Sequence, residues 1–177
     1  DYFWMNNRDD SEVIDYLEKE NDYYEKMTFH TKDFQQKIFN EIKNKIKEDD
    51  QSVPYFQNGY WYFTKFKKDK DYPIYIRKKK SLESKEQILF DCNTLAMNHD
   101  FFNLSNIKIS PNNKFAAFSI DTVSRRLYTI KIKNLETGEV LSDSVNNSSG
   151  NFSWANDNKT LFYTKKDIKT LRNDKIY

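Results

Sequence analysis

The 177 residues carry 29 basic and 27 acidic side chains, for a formal net charge of +2, with 16% aromatic residues beside only three glycines and three prolines. So small a net charge excludes a global field that would hold a phosphate backbone or an anionic membrane, and the composition excludes collagen-like, linker-like and disordered classes. One cysteine, Cys92, and two histidines, His30 and His99, make neither an internal disulfide nor a zinc-ligand set, and no apolar run approaches the roughly 20 residues that span a bilayer.

Residues 9 to 47 read as two helices. Asp9 and Glu12 have capping-box spacing, so a helix is expected to start there. Ile14, Leu17 and Tyr24 share one face, with Val13 and Met27 beside them. Thr31 is placed to cap the second helix, in which Phe34, Ile38, Ile42 and Ile46 recur every four residues and Phe39 widens the stripe. Two helices cannot bury such stripes against each other alone, so a further surface is implied.

After Glu48-Asp49-Asp50 the apolar period changes from 3.6 to 2 and aromatic and β-branched residues dominate. Strands are expected at 53–57, 60–66, 72–78 and 87–91, with Asn58-Gly59 as the hairpin turn between the first two. A second set is expected at 104–110, 115–121, 127–133 and 140–145, and a third begins at 151–155 and 160–165.

These sets are copies of one unit. The turns at Asn58, Asn113 and Asn158 are 55 and 45 residues apart, near the roughly 40–50 of a four-stranded propeller blade. Five positions after each turn stand Phe63, Phe118 and Tyr163, each followed by Thr64, Ser119 or Thr164. In the third strands, Tyr72, Ile74 and Ile76 match Tyr128, Ile130 and Ile132 at a step of 56. Repetition of this kind means that each sheet covers its faces with neighbouring blades. Two and a half blades do not close a ring, for which about 4–8 are needed. The fold class expected is therefore mostly β with an N-terminal α-helical hairpin, a partial β-propeller of two to three four-stranded antiparallel blades. The chain reads as an N-terminal fragment, with residues 1–50 a helical segment and 51–177 the first blades.

Several segments in colinear order resemble the prolyl oligopeptidase family of serine peptidases, and its oligopeptidase B (protease II) branch most. They are Asp1-Tyr2-Phe3-Trp4-Met5, Tyr16-Leu17-Glu18-Lys19-Glu20-Asn21, His30-Thr31-Lys32, Ser52-Val53-Pro54-Tyr55, Asn58-Gly59-Tyr60-Trp61-Tyr62, Ser124-Arg125-Arg126-Leu127-Tyr128 and Asn134-Leu135-Glu136-Thr137-Gly138. The resemblance implies a two-domain enzyme that cleaves short peptides after Lys or Arg, with a propeller limiting access to an α/β-hydrolase domain. That C-terminal hydrolase domain of the same polypeptide would be the partner of the 1–50 helices, and short peptides the substrates. Nucleic acid and membrane are not expected as partners, nor is a cofactor or metal, and a cytoplasmic location is expected.

The nucleophile elbow Gly-x-Ser-x-Gly of that family does not occur, since Gly59, Gly138 and Gly150 are scattered. The triad is expected beyond residue 177, so no catalytic residue is assigned and the chain alone is expected to be inactive. Asp100, Arg125 and Arg126 resemble positions where the family pairs propeller with hydrolase, which would make them a gate rather than catalysts; ordinary surface charges are the alternative. The repeats alone would equally permit a non-enzymatic propeller scaffold, and a post-proline-cleaving prolyl oligopeptidase is the nearer alternative.

Overall fold

The computed structural model describes residues 2–177, and the chain forms two compact units that divide between Lys47 and Glu48. In the first, helix α1 (Ser11–Thr28) is capped by Asp10, whose backbone is extended and whose carboxylate accepts from the Glu12 amide at 2.9 Å. The cap therefore lies one residue after the expected Asp9, and Glu12 sits too close to it to complete a capping box. A 3₁₀ turn over Phe29–Thr31 leads into α2 (Lys32–Asn44). Thr31 stands at the N-cap position of α2 but its side chain makes no capping bond: its hydroxyl donates to the Thr28 carbonyl (2.7 Å) and accepts from Gln35 (2.7 Å). Across this turn Lys32 pairs with Glu25 at 2.8 Å. Because α2 ends at Asn44, Ile46 falls outside the helix. Val13 is buried, whereas Ile14, Leu17, Tyr24, Phe34, Ile38, Phe39 and Ile42 stay exposed, so the two apolar stripes do not satisfy each other.

The second unit opens with the sheet β1 (Asp50–Gln51), β2 (Tyr55–Gln57), β3 (Tyr60–Phe66), β4 (Ile74–Lys79) and β5 (Glu86–Asp91), all antiparallel, with β1 and β2 both lying along β3. The innermost strand is interrupted where Pro54 lacks an N–H for the ladder, so pairing starts at Tyr55 instead of Val53. Ser52 bridges the gap, donating its amide to the Thr64 carbonyl and accepting from the Thr64 amide on its hydroxyl, both at 2.9 Å. β4 starts at Ile74 because the side-chain amide of Asn93, on the short helix α3 (Cys92–Ala96), holds the Tyr72 backbone on both sides, at 3.0 and 2.8 Å.

The remaining strands form one sheet in the order β11-β10-β9-β8-β7-β6: β6 (Asn103–Ile109), β7 (Phe115–Asp121), β8 (Tyr128–Asn134), β9 (Val140–Trp154), β10 (Leu161–Lys166) and β11 (Asn173–Ile176). The two strands expected at 140–145 and 151–155 are a single 15-residue strand, β9. Its first part is the outer strand of blade two and its last part the inner strand of blade three, with Ser148 paired to both Tyr128 and Lys165. At the crossover Asn147 (φ 59°) and Gly150 (φ 85°) adopt left-handed backbone. The Gly150 carbonyl accepts from Ser119 (3.2 Å) and Asn106 (3.4 Å), fastening the crossover to blade two.

Register corrects one further expectation. Phe63 pairs with Ile76 and Phe118 with Lys131, so the third strands repeat at 55 residues, not 56. A one-residue offset exchanges the faces of a strand: Ile74 and Ile76 cluster with Phe63 on one side of blade one, whereas Ile130 packs with Ala117 and Phe152 toward blade three.

Blades one and two meet on Tyr62, Leu89, Phe90, Phe102, Ala116, Phe118 and Leu135, with the Phe90 and Phe118 rings 4.6 Å apart. Polar groups close the edges of this joint. Arg77, 3% exposed, donates to Gln87 (2.7 Å) and to the Asn113 carbonyl (3.2 Å) and lies 4.1 Å over the Tyr60 ring, while Gln87 donates to the Leu135 carbonyl at 2.6 Å. The three repeated asparagines all have positive φ (49°, 64° and 62°) and reach between blades. Asn58 Nδ2 donates to the Pro111 carbonyl (2.6 Å), Asn113 Nδ2 to the Asn58 carbonyl (3.1 Å), and the Asn112 amide to Asn158 Oδ1 (2.7 Å).

A Cβ on Gly150 would stand 2.8 Å from Tyr128 Cδ2, whereas one on Gly59 (φ 84°) would meet nothing within 4 Å. Both positions penalise an L side chain, but only the first also overpacks. Gly150→Ala is expected to destabilise by about 1–3 kcal/mol more than Gly59→Ala, measured as the difference in urea unfolding midpoints; equal midpoints would show that the crossover yields freely.

Candidate functional site

The loop between β7 and β8 is built by Asp121, which is 2% exposed at the end of β7. Its Oδ1 accepts from the amides of Val123 (2.9 Å) and Ser124 (3.1 Å), and its Oδ2 from the Arg126 amide (2.7 Å). Ser124 and Arg126 take φ of 63° and 55° to allow this wrapping. Lys166, at the end of β10, donates to the Arg126 carbonyl at 2.8 Å. A carboxylate from one blade and an ammonium from the next thus fix the backbone, while the Arg125 and Arg126 side chains are exposed. Asp100 is exposed in the bend between α3 and β6. Since Asn103 pairs with Asp121, all three predicted residues lie at the same end of the β6–β7 ladder. The structure brings them to one end without joining them: among the described residues none of the three takes part in a salt bridge. The sequence reading misses Asp121 and Lys166; an Asp at a strand end two and three residues before a Val-Ser pair in a turn is the available signal for the first, and no local pattern marks the second.

Along the inner strands lies a cavity of about 700 Å³ that draws on all three blades, with Tyr55 and Gln57 from the first, Ser105 and Lys108 from the second, and Ser153 and Trp154 from the third. The Trp154 indole donates to the Lys108 carbonyl at 2.8 Å, tying two of these strands together. Among the described residues, Lys108 is the one charged member of the lining. Hydroxyls, amides and aromatic rings of this kind can hydrogen-bond or pack against an extended peptide, but they provide neither an activated nucleophile nor a base.

The family model for the prolyl oligopeptidase N-terminal β-propeller domain matches residues 1–177. The chain belongs to that family. It is 36% identical to dipeptidyl aminopeptidase BI of Pseudoxanthomonas mexicana over 99% of its own length and 27% of the relative's, and 31% identical to protease 2 of Moraxella lacunata over 94% and 25%. Among solved structures it is similar to oligopeptidase B of Leishmania major (TM-score 0.89, 32% identity, 99% of this chain and 25% of that one). It is also similar to the closed form of Trypanosoma brucei oligopeptidase B with covalently bound antipain (TM-score 0.87, 29% identity, 98% and 25%). The chain therefore spans about a quarter of the length of the relatives it matches.

Within this prolyl oligopeptidase propeller region Lys133 and Cys92 are packed into the structure, while His30 and His99 are exposed. His30 lies in the corner between α1 and α2, and His99 stacks on Phe102 with ring centres 6.3 Å apart. No group of three His, Cys, Asp or Glu suited to a metal occurs among the described residues, and no helix among them is long and apolar enough to cross a membrane. Lys133 donates to the Leu89 carbonyl at 2.7 Å with its ammonium 5.1 Å over the Phe90 ring, and burial lowers its pKa. Cys92 is 1% exposed; burial, with the Asp91 charge adding to it, pushes its thiol up to about 12. A group raised this far is almost wholly protonated at neutral pH, and the thiolate is the nucleophile. Native protein at pH 8 is expected to give no reaction of Cys92 with a disulfide reagent, followed by full reaction on unfolding; rapid labelling of the folded chain would place the thiol at the surface.

Proposed function

We propose that this chain is the helical and propeller portion of a serine oligopeptidase that hydrolyses short peptides after Lys or Arg, and that it gates and supports the reaction without performing it. The match of the propeller family model to every residue carries this reading. Acyl transfer needs a nucleophile, a base in hydrogen-bond reach and donors for the oxyanion. The sequence holds no Gly-x-Ser-x-Gly elbow, so those groups belong to the C-terminal α/β-hydrolase domain of the same polypeptide. That domain is also the surface for the exposed stripes of α1 and α2, and residues 1–50 and 51–177 divide accordingly into the segment that packs on it and the first blades. A cytoplasmic location completes the proposal.

Arg125 and Arg126 fit a gate for a physical reason. Asp121 and Lys166 hold this loop's backbone while the two guanidinium groups have no salt-bridge partner among the described residues, so their charges are available to carboxylates as a second domain closes; Asp100 is presented at the same blade end for the opposite sign. Exposed pairs of this sort contribute about 0–1 kcal/mol each, enough to shift a closing equilibrium and too little to affect the fold.

A second reading comes from the relative at 36% identity, whose name describes removal of dipeptides. Blocked and unblocked Arg-amide peptides separate the two: turnover of an N-blocked peptide by the full-length enzyme supports the oligopeptidase, and a strict need for a free amine two residues from the cut supports the dipeptidyl aminopeptidase. A parent that cuts only after proline would move the protein to the prolyl oligopeptidase branch. A fluorophosphonate probe is expected to label the full-length protein and not the 177-residue chain, and labelling of the latter would overturn the division of labour. In the full-length enzyme, Asp100→Ala and Arg126→Ala are expected to lower kcat/KM for short basic peptides several-fold with unchanged unfolding midpoints; unchanged kinetics in both would return them to ordinary surface charges.

A further inference from the structure

The chain's one Asn-Gly pair, Asn58-Gly59, forms the two-residue turn between β2 and β3, where Gln57 pairs with Tyr60. It is also a bond between blades, through Asn58 Nδ2 to Pro111 and Asn113 Nδ2 to the Asn58 carbonyl. Asn58 is exposed, and the space beside Gly59 is open to 4 Å where a side chain would otherwise obstruct its nitrogen.

We propose that Asn58 is a site of spontaneous deamidation whose rate is set by the lock between blades one and two, and that its conversion releases that lock. The Gly59 backbone nitrogen, on losing its proton, attacks Cγ of Asn58. A new C–N bond closes a five-membered succinimide as the bond to Nδ2 breaks, and ammonia leaves with the proton. Water then opens the ring at one of its two carbonyls, giving aspartate or isoaspartate. The sequence consumes one water, releases one ammonia and involves no oxidation or reduction.

The attack requires the Asn58 side chain to turn toward Gly59. In the closed joint its amide is held by the Pro111 carbonyl and its backbone carbonyl by Asn113, so these contacts must open first, and the rate follows the population of the opened state. Conversion then prevents the lock from re-forming. A carboxylate at position 58 presents an acceptor to the Pro111 carbonyl, also an acceptor, and both sides lose their bond. Isoaspartate adds a backbone atom to a two-residue turn whose flanking strands are in fixed register. Other asparagines, such as Asn112 and Asn156 in turns and Asn146 within β9, are followed by Asn, Asp and Asn, whose side chains hinder the same attack; they are internal controls.

The test uses the full-length peptidase stored at mildly alkaline pH, with conversion followed site by site by peptide mass mapping and isoaspartate by methyltransferase labelling. Asn58 is expected to convert ahead of Asn112, Asn146 and Asn156, and faster as pH rises. Asn113→Gly keeps the positive φ while removing the amide donor, and is expected to speed conversion at Asn58 roughly fivefold, the factor for one lost hydrogen bond. Should that variant not fold, the parent protein gives the same comparison with and without sub-denaturing urea, which is expected to accelerate Asn58 selectively. Asn58→Asp is expected to lower the thermal midpoint and increase amide exchange in β3 and β6. The proposal is overturned if Asn58 lags the control sites, if neither Asn113→Gly nor urea changes its rate, or if Asn58→Asp leaves exchange at the joint unaltered.

Discussion

The Phe90 and Phe118 rings meet 4.6 Å apart, each carried by a different sheet, and the β region depends on contacts of this kind. A blade has two apolar faces and no interior of its own, so burial comes only from the next blade. Each aromatic side chain covered in this way is worth about 1.5–3 kcal/mol, with a further ~0.5–1.5 kcal/mol where rings meet at favourable angles. Ala116 and Ala117 are fully buried on opposite faces of β7, where a large side chain would hold the sheets apart. Large residues on one blade and small ones on the neighbour let the stack approach without voids.

The joints also carry buried polar groups. Arg77 sits almost wholly out of water with no carboxylate among its described partners, its charge spread over the Gln87 and Asn113 oxygens and the face of Tyr60. A guanidinium tolerates this better than an ammonium because it is planar, weakly hydrated and able to stack. Lys133 supplies the contrast, since its ammonium keeps a single carbonyl and a ring in a partly buried place and its pKa falls. Both residues bind one blade to the next through backbone carbonyls, which any sequence supplies, so neither requires a matched residue opposite.

Much of this was legible from the residues. Strands β3 and β7 fall where alternation and aromatic content place them, and Asn58, Asn113 and Asn158 mark turns because a short amide side chain tolerates left-handed backbone. What escaped is long-range or one-dimensional in origin. Matching isoleucine to isoleucine gives a step of 56 instead of 55, yet Ile74 and Ile130 serve opposite faces. Apolar identity cannot distinguish two faces that are both buried. The α1 cap falls one residue later than expected, at Asp10 for Asp9, since adjacent aspartates offer the same chemistry. Of the proposed gate, the arginines were visible as a charged loop, but the Asp121 carboxylate and the Lys166 ammonium that shape it come from separate strands 45 positions apart, and no local pattern links them.

Strand β9 has a consequence for how such a chain can be cut, copied or lengthened. Because one continuous strand closes blade two and opens blade three, with Ser148 hydrogen-bonded into both, a break at the apparent blade boundary would tear two ladders at once. The portable unit is out of phase with the visible blade. It runs from one asparagine turn to the next, from Pro111 to Asn156, so that a transplanted segment begins and ends in solvent-facing loops and brings the crossover intact. Gene duplication, domain grafting and limited proteolysis should all find their tolerated joints at those turns, and a nick near Gly150 should unravel two blades where a nick near Asn112 would leave every strand whole.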